Sequence, residues 1–416
     1  MSIRGKFPEQ RPTLNLDFAN SKKLDPRITF SRTTTSTCVD ENGLIVTTGA
    51  DEPRFDHDPT TGESLGLLIE EQRKNQVTYS EDFTQWNNTN TTDAVDTSIN
   101  APDGTNTATK ITDDSTNAAH NVKFNFTTDS SDTFTVSCFV KKGDFSYFVM
   151  ILRMVASSDA FAKFDFDNPS NNTTFGGGTN RSQTVTEYPN GWYRISFTST
   201  FGAAVTSVIP HIHLTDSGGN TGYSGSGNFN YIWGAQLEIG EFPTSYIPTS
   251  GSTKTRSADN YSMTGTNFSD WYNTTEGTIF LDCTPVYSSP TNQYKRLLSI
   301  HNNSGSQTDV IQFIQAEQAN NVSCAVWDGS SFQAGFSKDN TSGTRFKVAF
   351  AVKENNMNAS YDGNIGTDDT TCTLPAMTEM DIGSYNNALN AQTVHINNIS
   401  YYPKRLTNTQ LQNLTK

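Results

Sequence analysis

The stretch Thr133-Phe134-Thr135-Val136-Ser137-Cys138-Phe139-Val140 puts Phe134, Val136, Cys138 and Val140 at every second position, with Thr133, Thr135 and Ser137 between them. Successive side chains of a β-strand point to opposite faces, so this spacing describes a strand with one apolar and one polar face. Trp192-Tyr193-Arg194-Ile195-Ser196-Phe197-Thr198 repeats the pattern. Strands of this kind belong to antiparallel sheets covered on one side. Working outward, turn signals separate many such runs: Pro102-Asp103-Gly104, Asn190-Gly191 and Asp362-Gly363. Repeated short strands between turns predict an all-β chain of antiparallel sandwiches or jelly rolls.

The spacing of these runs divides the chain. Residues 1–77 carry Arg, Lys and Pro with few long β runs, and read as extended chain that needs a surface to lie on, its own or a partner's. Residues 78–248 form a first β region, 249–266 are small and polar like a linker, and 267–416 form a second β region. Thr407-Asn408-Thr409-Gln410 fits a capping box, and Leu411 and Leu414 then share a face of one short closing helix. The expected fold class is therefore all-β: two antiparallel β-sandwich (jelly-roll) domains preceded by an extended N-terminal segment.

Composition excludes several classes. Of 416 residues, 34% are hydrophobic, 17% charged and 11% aromatic, too aromatic and too weakly charged for a disordered polyelectrolyte. The net charge of -14 repels phosphate backbones, so no nucleic acid partner is expected. No apolar run reaches the roughly 18 residues of a membrane helix, so no membrane insertion is expected. No apolar core follows Met1 to Pro8, which reads against a signal peptide. The 5 cysteines (Cys38, Cys138, Cys283, Cys324, Cys372) are odd in number and lack a CxxC pair; they read as free buried thiols of a protein made in a reducing cytoplasm. N-x-S/T triplets at Asn125, Asn267, Asn273, Asn321, Asn358 and Asn398 read as a by-product of composition.

Catalytic constellations are sparse. Glu379-Met380-Asp381 puts two carboxylates on one strand face, as a glycosidase requires; it resembles the first two acids of the Glu-x-Asp-x-x-Glu strand of concanavalin-like glucanases, but Ser384 stands in place of the third, and the pair reads as a solvated strand face. Asp165 and Asp167 share a face with Phe164 and Phe166 turned inward; carboxylates of this kind suit calcium, the one ion admitted, with no other cofactor expected. His211-Ile212-His213 sends both imidazoles the same way, a spacing compatible with metal ligation, without an evident third ligand in the chain. His57 has no nucleophile partner, and no GxSxG, HExxH, P-loop or dinucleotide fingerprint occurs. The chain is read as no enzyme. Trp86, Trp271, Tyr272, Trp327, Tyr385 and Tyr401 are candidates, by residue type, to stack on sugar rings.

Several longer strings resemble known families. Pro12-Thr13-Leu14-Asn15-Leu16-Asp17-Phe18-Ala19-Asn20, Leu24 to Arg32, Pro53 to Pro59, Leu65 to Arg73, Tyr79 to Phe83 and Trp233-Gly234-Ala235-Gln236-Leu237-Glu238 with Phe242 to Pro248 resemble virion proteins of tailed bacteriophages, marine and cyanobacterial phages above all. Residues 80–248 resemble a carbohydrate-binding-module-like jelly roll, through Ala101-Pro102-Asp103-Gly104, Ala108 to Ile111 and Gly191 to Phe197. Residues 267–416 look like a concanavalin A- or laminin-G-like sandwich, through Thr278 to Asp282, Arg345 to Val352, Ala359 to Gly363 and Ile396 to Tyr402. The resemblance implies a tail fibre or spike protein on the virion surface that docks on other virion proteins through residues 1–77 and recognises host surface polysaccharide. Fibres and spikes tend to be threefold, which implies a homotrimer; the absence of heptads excludes a coiled-coil shaft. The other reading is a head fibre, decoration or tail adaptor protein with a purely structural role.

Overall fold

The computed structural model describes residues 8–127, 132–154, 158–202, 207–287, 294–303, 308–316, 321–329, 331–341, 343–386 and 391–416. Met1 to Phe7, read above for the absence of a leader, lie outside them. The chain is all-β, with antiparallel sheets packed face to face as two sandwiches. Among the described residues no helix is long and apolar enough to cross a membrane.

The first sandwich grows from the stretch that opened the sequence reading. Thr133–Lys141 lies between Trp192–Thr200 and Phe229–Ile239 in a 6-stranded sheet. The facing 7-stranded sheet is centred on Tyr147–Met154 and Ser207–His213. The alternating residues Phe134, Val136, Cys138 and Val140 enter the core between them, with Phe148, Met150, Ile195 and Phe197.

The second sandwich departs from the sequence reading. Its 8-stranded sheet contains Glu276–Pro285, Phe346–Lys353 and Val394–Tyr402, but also Leu14–Asp17, Arg54–His57 and Ser64–Ile69. The opposite 7-stranded sheet starts with Thr29–Ser31 and Asn260–Thr264, followed by Glu379–Ile382, Lys295–His301, Val310–Ala316, Asn321–Asp328 and Ser331–Asp339. Residues 1–77 are therefore not a separate leading segment in their described part: four of their strands complete the second sandwich, while Ser36–Val39 and Ile45–Thr48 pair with each other and Ile45 packs on the first. The stretch 249–266 is not a linker either, since Lys254–Arg256 pairs with Arg73–Asn75, and Asn260–Thr264 with Glu379–Ile382. The physical reason is burial. Leu14, Leu16, Phe18, Ile28, Leu67 and Ile69 all join the second core, with Tyr261 and Met263.

The first sandwich is thus an excursion from the second, leaving and returning at one place. Gly251 N donates to Thr78 O at 2.8 Å, and Tyr79 bridges Ser250. A buried ionic network holds the junction. Asp259 accepts from Arg32 at 2.9 Å and from Arg54, while Glu70 pairs with Arg54 at 2.5 Å and faces Arg256 at 3.4 Å. Burial alone would raise the Glu70 carboxyl, but the Arg256 and Arg54 charges and two bonds from Ser245 hold it well below the usual carboxylate range.

The C-terminal capping box forms as expected. Thr407 Oγ1 accepts from Gln410 N at 3.3 Å and Gln410 Oε1 accepts from Thr407 N at 2.9 Å, capping the helix Asn408–Leu414. Asp362 and Gly363 have φ of 43° and 79°, the paired positive values of a two-residue hairpin turn.

Candidate functional site

The outer face of the 7-stranded sheet in the second sandwich carries the candidate site. Alternation decides what it shows. Ile311 and Phe313 point into the core, so Gln312 and Ile314 point out; Val322, Cys324 and Val326 point in, so Ser323, Ala325 and Trp327 point out. These outward residues line a groove of about 620 Å³, together with Tyr294, Arg296, Phe332 and Gly335.

Aromatic rings wall the groove. A register shift between Val326 and Trp327 places Phe332 directly opposite Trp327. The bulge turns Phe332 to the outer face. Its ring meets Trp327 edge-to-face, with centroids 5.5 Å apart at 73°. The ring lies across Gly335, where a Cβ would sit 2.6 Å from Phe332 Cζ. Glycine is required there for that close approach, not for its backbone angle. Phe332 is 56% exposed and Tyr294 54%, among the most exposed large apolar side chains described.

The floor is polar. Gln312 is buried, and its Oε1 has no hydrogen-bond partner. Arg296 is buried beside it, and burial pushes its guanidinium down to about 10. Ring faces above a floor of amide, hydroxyl and guanidinium suit a ligand with apolar faces and hydroxyl edges.

The same sheet face carries Glu379 and Asp381, and here the expectation of solvated acids is corrected. Both are buried. His301, on the neighbouring strand and fully buried, stands between them, with Nδ1 3.3 Å from Glu379 Oε1 and Nε2 3.1 Å from Asp381 Oδ2. Tyr385 packs on the imidazole at 4.5 Å. Asp381 also accepts from Asn386 N at 2.6 Å. The cause is the chain after Gly383, which turns at φ 75° and folds back over the strand, so that Gln392 N donates to Gly383 O. Burial raises the Glu379 carboxyl.

Of the aromatic candidates, Trp327 lines the groove, Tyr385 is buried over the outer sheet face, and the others lie in cores. Trp86 packs on Phe83 and donates Nε1 to Tyr79 O at 2.9 Å. Trp271, Tyr272 and Tyr401 form one aromatic cluster with Phe268. Tyr385 covers His301. Residue type alone could not separate these, because Trp and Tyr are mostly buried residues with one polar atom to satisfy. Phe332, Tyr294, Arg296 and Gln312 were missed. The Asp328-Gly329 turn signal just before Phe332 was the one local hint of an aromatic near a hairpin end.

The metal candidates stay apart from further ligands. His211 and His213 stack in parallel, 5.5 Å apart at 8°, on the outer face of the first sandwich. Burial, with the Lys123 charge nearby, lowers them to about 4 and about 3, so both are neutral at neutral pH. Among the described residues no group of 3 or more His, Cys, Asp and Glu is placed to hold a metal ion. Asp165 instead ties a turn, accepting from the backbone N of Asp167 and Asn168 and from Asn171 Nδ2, and Asp167 pairs with Lys142. All 5 cysteines are buried and free.

No family model matches the chain, and no curated protein matches it. Among solved structures, the CBM40 of the Ruminococcus gnavus IT-sialidase bound to alpha2,3 sialyllactose is 15% identical over 35% of this chain and 84% of that one, with a TM-score of 0.30. Mouse laminin alpha1 domains LG4-5 are 10% identical over 71% and 89%, with a TM-score of 0.23. A SAP-like pentraxin from Limulus polyphemus is 10% identical over 33% and 68%, with a TM-score of 0.26. Scores this low assign the chain neither a family nor a function.

Proposed function

We propose that this chain is a non-catalytic glycan-binding protein of a tailed-phage particle, of the tail fibre or spike type, acting at the virion surface. The observation that carries glycan binding is the groove walled by Trp327, Phe332 and Tyr294 over Gln312, Ser323 and Arg296. Exposed rings beside polar side chains are a poor arrangement for a protein in water alone, and a good one for the mixed surface of a polysaccharide. The virion assignment rests on the strings from Pro12 to Phe83 and from Trp233 to Pro248. Docking on other virion proteins and threefold assembly belong to the same reading, and many weak grooves on one particle would act together. The non-catalytic part is supported by Glu379 and Asp381, which face one imidazole under Tyr385 rather than an open cleft.

The test is binding of fluorescent full-length protein to host cells and to a non-host strain, with soluble host surface polysaccharide as competitor. The reading expects saturable, competed binding to the host alone. The double variant Trp327→Ala, Phe332→Ala should weaken it by about tenfold or more, since each aromatic contact contributes about 0.5–1.5 kcal/mol beyond its buried area. Binding that is unchanged in a folded double variant would overturn the groove assignment. Absence of any binding would favour the purely structural virion role.

A further inference from the structure

His301 ends the strand Lys295–His301, where the chain turns towards Val310–Ala316, on the sheet face that carries the groove. Its ring is fully buried. From one neighbouring strand it faces Glu379 and Asp381, from the other the uncharged Val310, and Tyr385 packs on it from outside. The cations of its own strand, Lys295 and Arg296, stand at the opposite end.

The hydrogen bonds fix the state of the ring. Asn303 N donates to Nδ1 at 3.1 Å. A ring nitrogen that accepts carries no proton, so the imidazole is neutral here, and its one proton sits on Nε2 and is donated to Asp381 Oδ2 at 3.1 Å. Glu379 Oε1 lies 3.3 Å from the same Nδ1. Nδ1 therefore stands between two groups that need opposite things of it. Without a proton it accepts from Asn303. With one it only donates, and Glu379 is the acceptor within reach. The Glu379 side chain is 12% exposed, which gives a proton a route from water to a ring that is otherwise sealed.

The Asn303 bond leads to the aromatic wall. Asn302 Nδ2, one residue before it, donates to Asp309 Oδ2 at 2.5 Å, and Asp309 Oδ1 accepts from Gly329 N at 2.7 Å. Gly329 lies in the turn between Trp327 and Phe332. One run of contacts thus joins the imidazole to the two rings of the groove.

We propose that His301 is a pH switch for that wall, a regulation of the groove that rests on the glycan-binding reading. Near neutral pH the neutral ring holds Asn303. As the pH falls through the range in which imidazole titrates, a proton from water adds to Nδ1. The Nδ1–H bond forms, the Asn303 N–H···Nδ1 bond is lost, and the new donor serves the Glu379 carboxylate. Asp381 keeps its bond from Nε2–H in both states. Asn303 is exposed, so its freed N–H passes to water. The support under Asp309 and Gly329 slackens, and the wall with it.

The test is NMR of the full chain labelled with nitrogen-15, at about pH 7.5 and about pH 5, on either side of imidazole titration. His301 Nδ1 should read as unprotonated at the higher pH and protonated at the lower. The Asn303 amide should lose about tenfold of its protection from exchange, the weight of one hydrogen bond. The Thr378 amide, which donates to His301 O at 2.9 Å, is the control and should keep its protection. Soluble host polysaccharide should bind the parent about tenfold more weakly at the lower pH, and His301→Gln equally at both. The proposal is overturned if Nδ1 stays unprotonated in the folded chain, including the case in which Glu379 takes the proton instead. It is overturned equally if Nδ1 is protonated while Asn303 stays protected, or if the parent binds polysaccharide equally at both pH values. If no polysaccharide binds at either pH, the glycan-binding reading fails, and the exchange data alone decide the switch. Should His301→Gln not fold, Glu379→Gln at the rim replaces it. Without that carboxylate to accept the Nδ1 proton, release of Asn303 should move to lower pH, and release at the parent's pH overturns the proposal.

Discussion

Residues 267–416 expressed alone should not fold. That fragment looks like a complete module by sequence, yet it lacks Leu14–Asp17, Thr29–Ser31, Arg54–His57, Ser64–Ile69 and Asn260–Thr264, which complete both of its sheets. It also loses Leu14, Leu16, Phe18, Ile28, Leu67 and Ile69 from its core, each at most 8% exposed. At about 1.5–3 kcal/mol per buried side chain of this kind, the loss is roughly 9–18 kcal/mol. A whole domain is stable by only about 5–15 kcal/mol, so the remainder has nothing left to hold it. The partner experiment joins residues 8–77 to 252–416 through a short Gly-Ser turn, which the contact between Thr78 and Gly251 allows. Circular dichroism and urea titration should show an unfolded or aggregating 267–416 fragment and a cooperative transition for the joined chain. A sharp two-state transition from the 267–416 fragment alone would refute the reasoning, since it would mean that the N-terminal strands add little to that core.

Gly335→Ala should displace the Phe332 ring from the groove wall while leaving stability within about 1 kcal/mol, because the ring is exposed and free to swing; polysaccharide titration should show weaker binding with an unchanged urea midpoint. Asp259→Ala leaves Arg32 without its carboxylate and Arg54 with Glu70 alone, and should cost about 3–5 kcal/mol in urea unfolding, as removal of one partner from a buried pair does. His211 and His213 titrate at about 4 and about 3 when folded, below their ordinary value near 6.5. Their neutral form is favoured in the fold, so their contribution is complete above about pH 6.5 and is lost as pH falls towards 4. Glu70 adds its own loss only below the ordinary carboxylate range. Urea midpoints should therefore drop between pH 7 and pH 5 and flatten in His211→Gln, His213→Gln; a midpoint constant across that interval would refute the assignment.

Local physics made much of the fold readable. Thr133–Lys141 follows directly from alternation, the closing helix from Thr407 and Gln410, and the hairpin at Asp362-Gly363 from residues that tolerate positive φ. The N-terminal strands were not readable for the opposite reason. They are 3 to 6 residues long, and Leu14 pairs with Tyr401, far away in sequence, so nothing local announces the partner. The groove was half readable. Trp327 stands out by type, whereas Phe332 reaches the wall only through a bulge, which depends on cross-strand register. His301 lies between Glu379 and Asp381 for the same kind of reason, a pairing across the sheet that spacing along one strand cannot show.

The antiparallel pairing of Leu14–Asp17 with Asn398–Tyr401 bears on how the molecule would carry tension. Leu14 faces Tyr401 and Asp17 faces Asn398, so both chain directions leave the pair at the same end. A pull through both directions must first strip off residues 403–416, where Leu406 and Leu411 pack on Ala349 and Ala351, and only then loads these hydrogen bonds one after another from Thr13 N to Tyr401 O. Such an arrangement peels at low force. Under stretching the closing helix should detach first and this seam open next, while Glu276–Pro285, bonded along both edges, still holds.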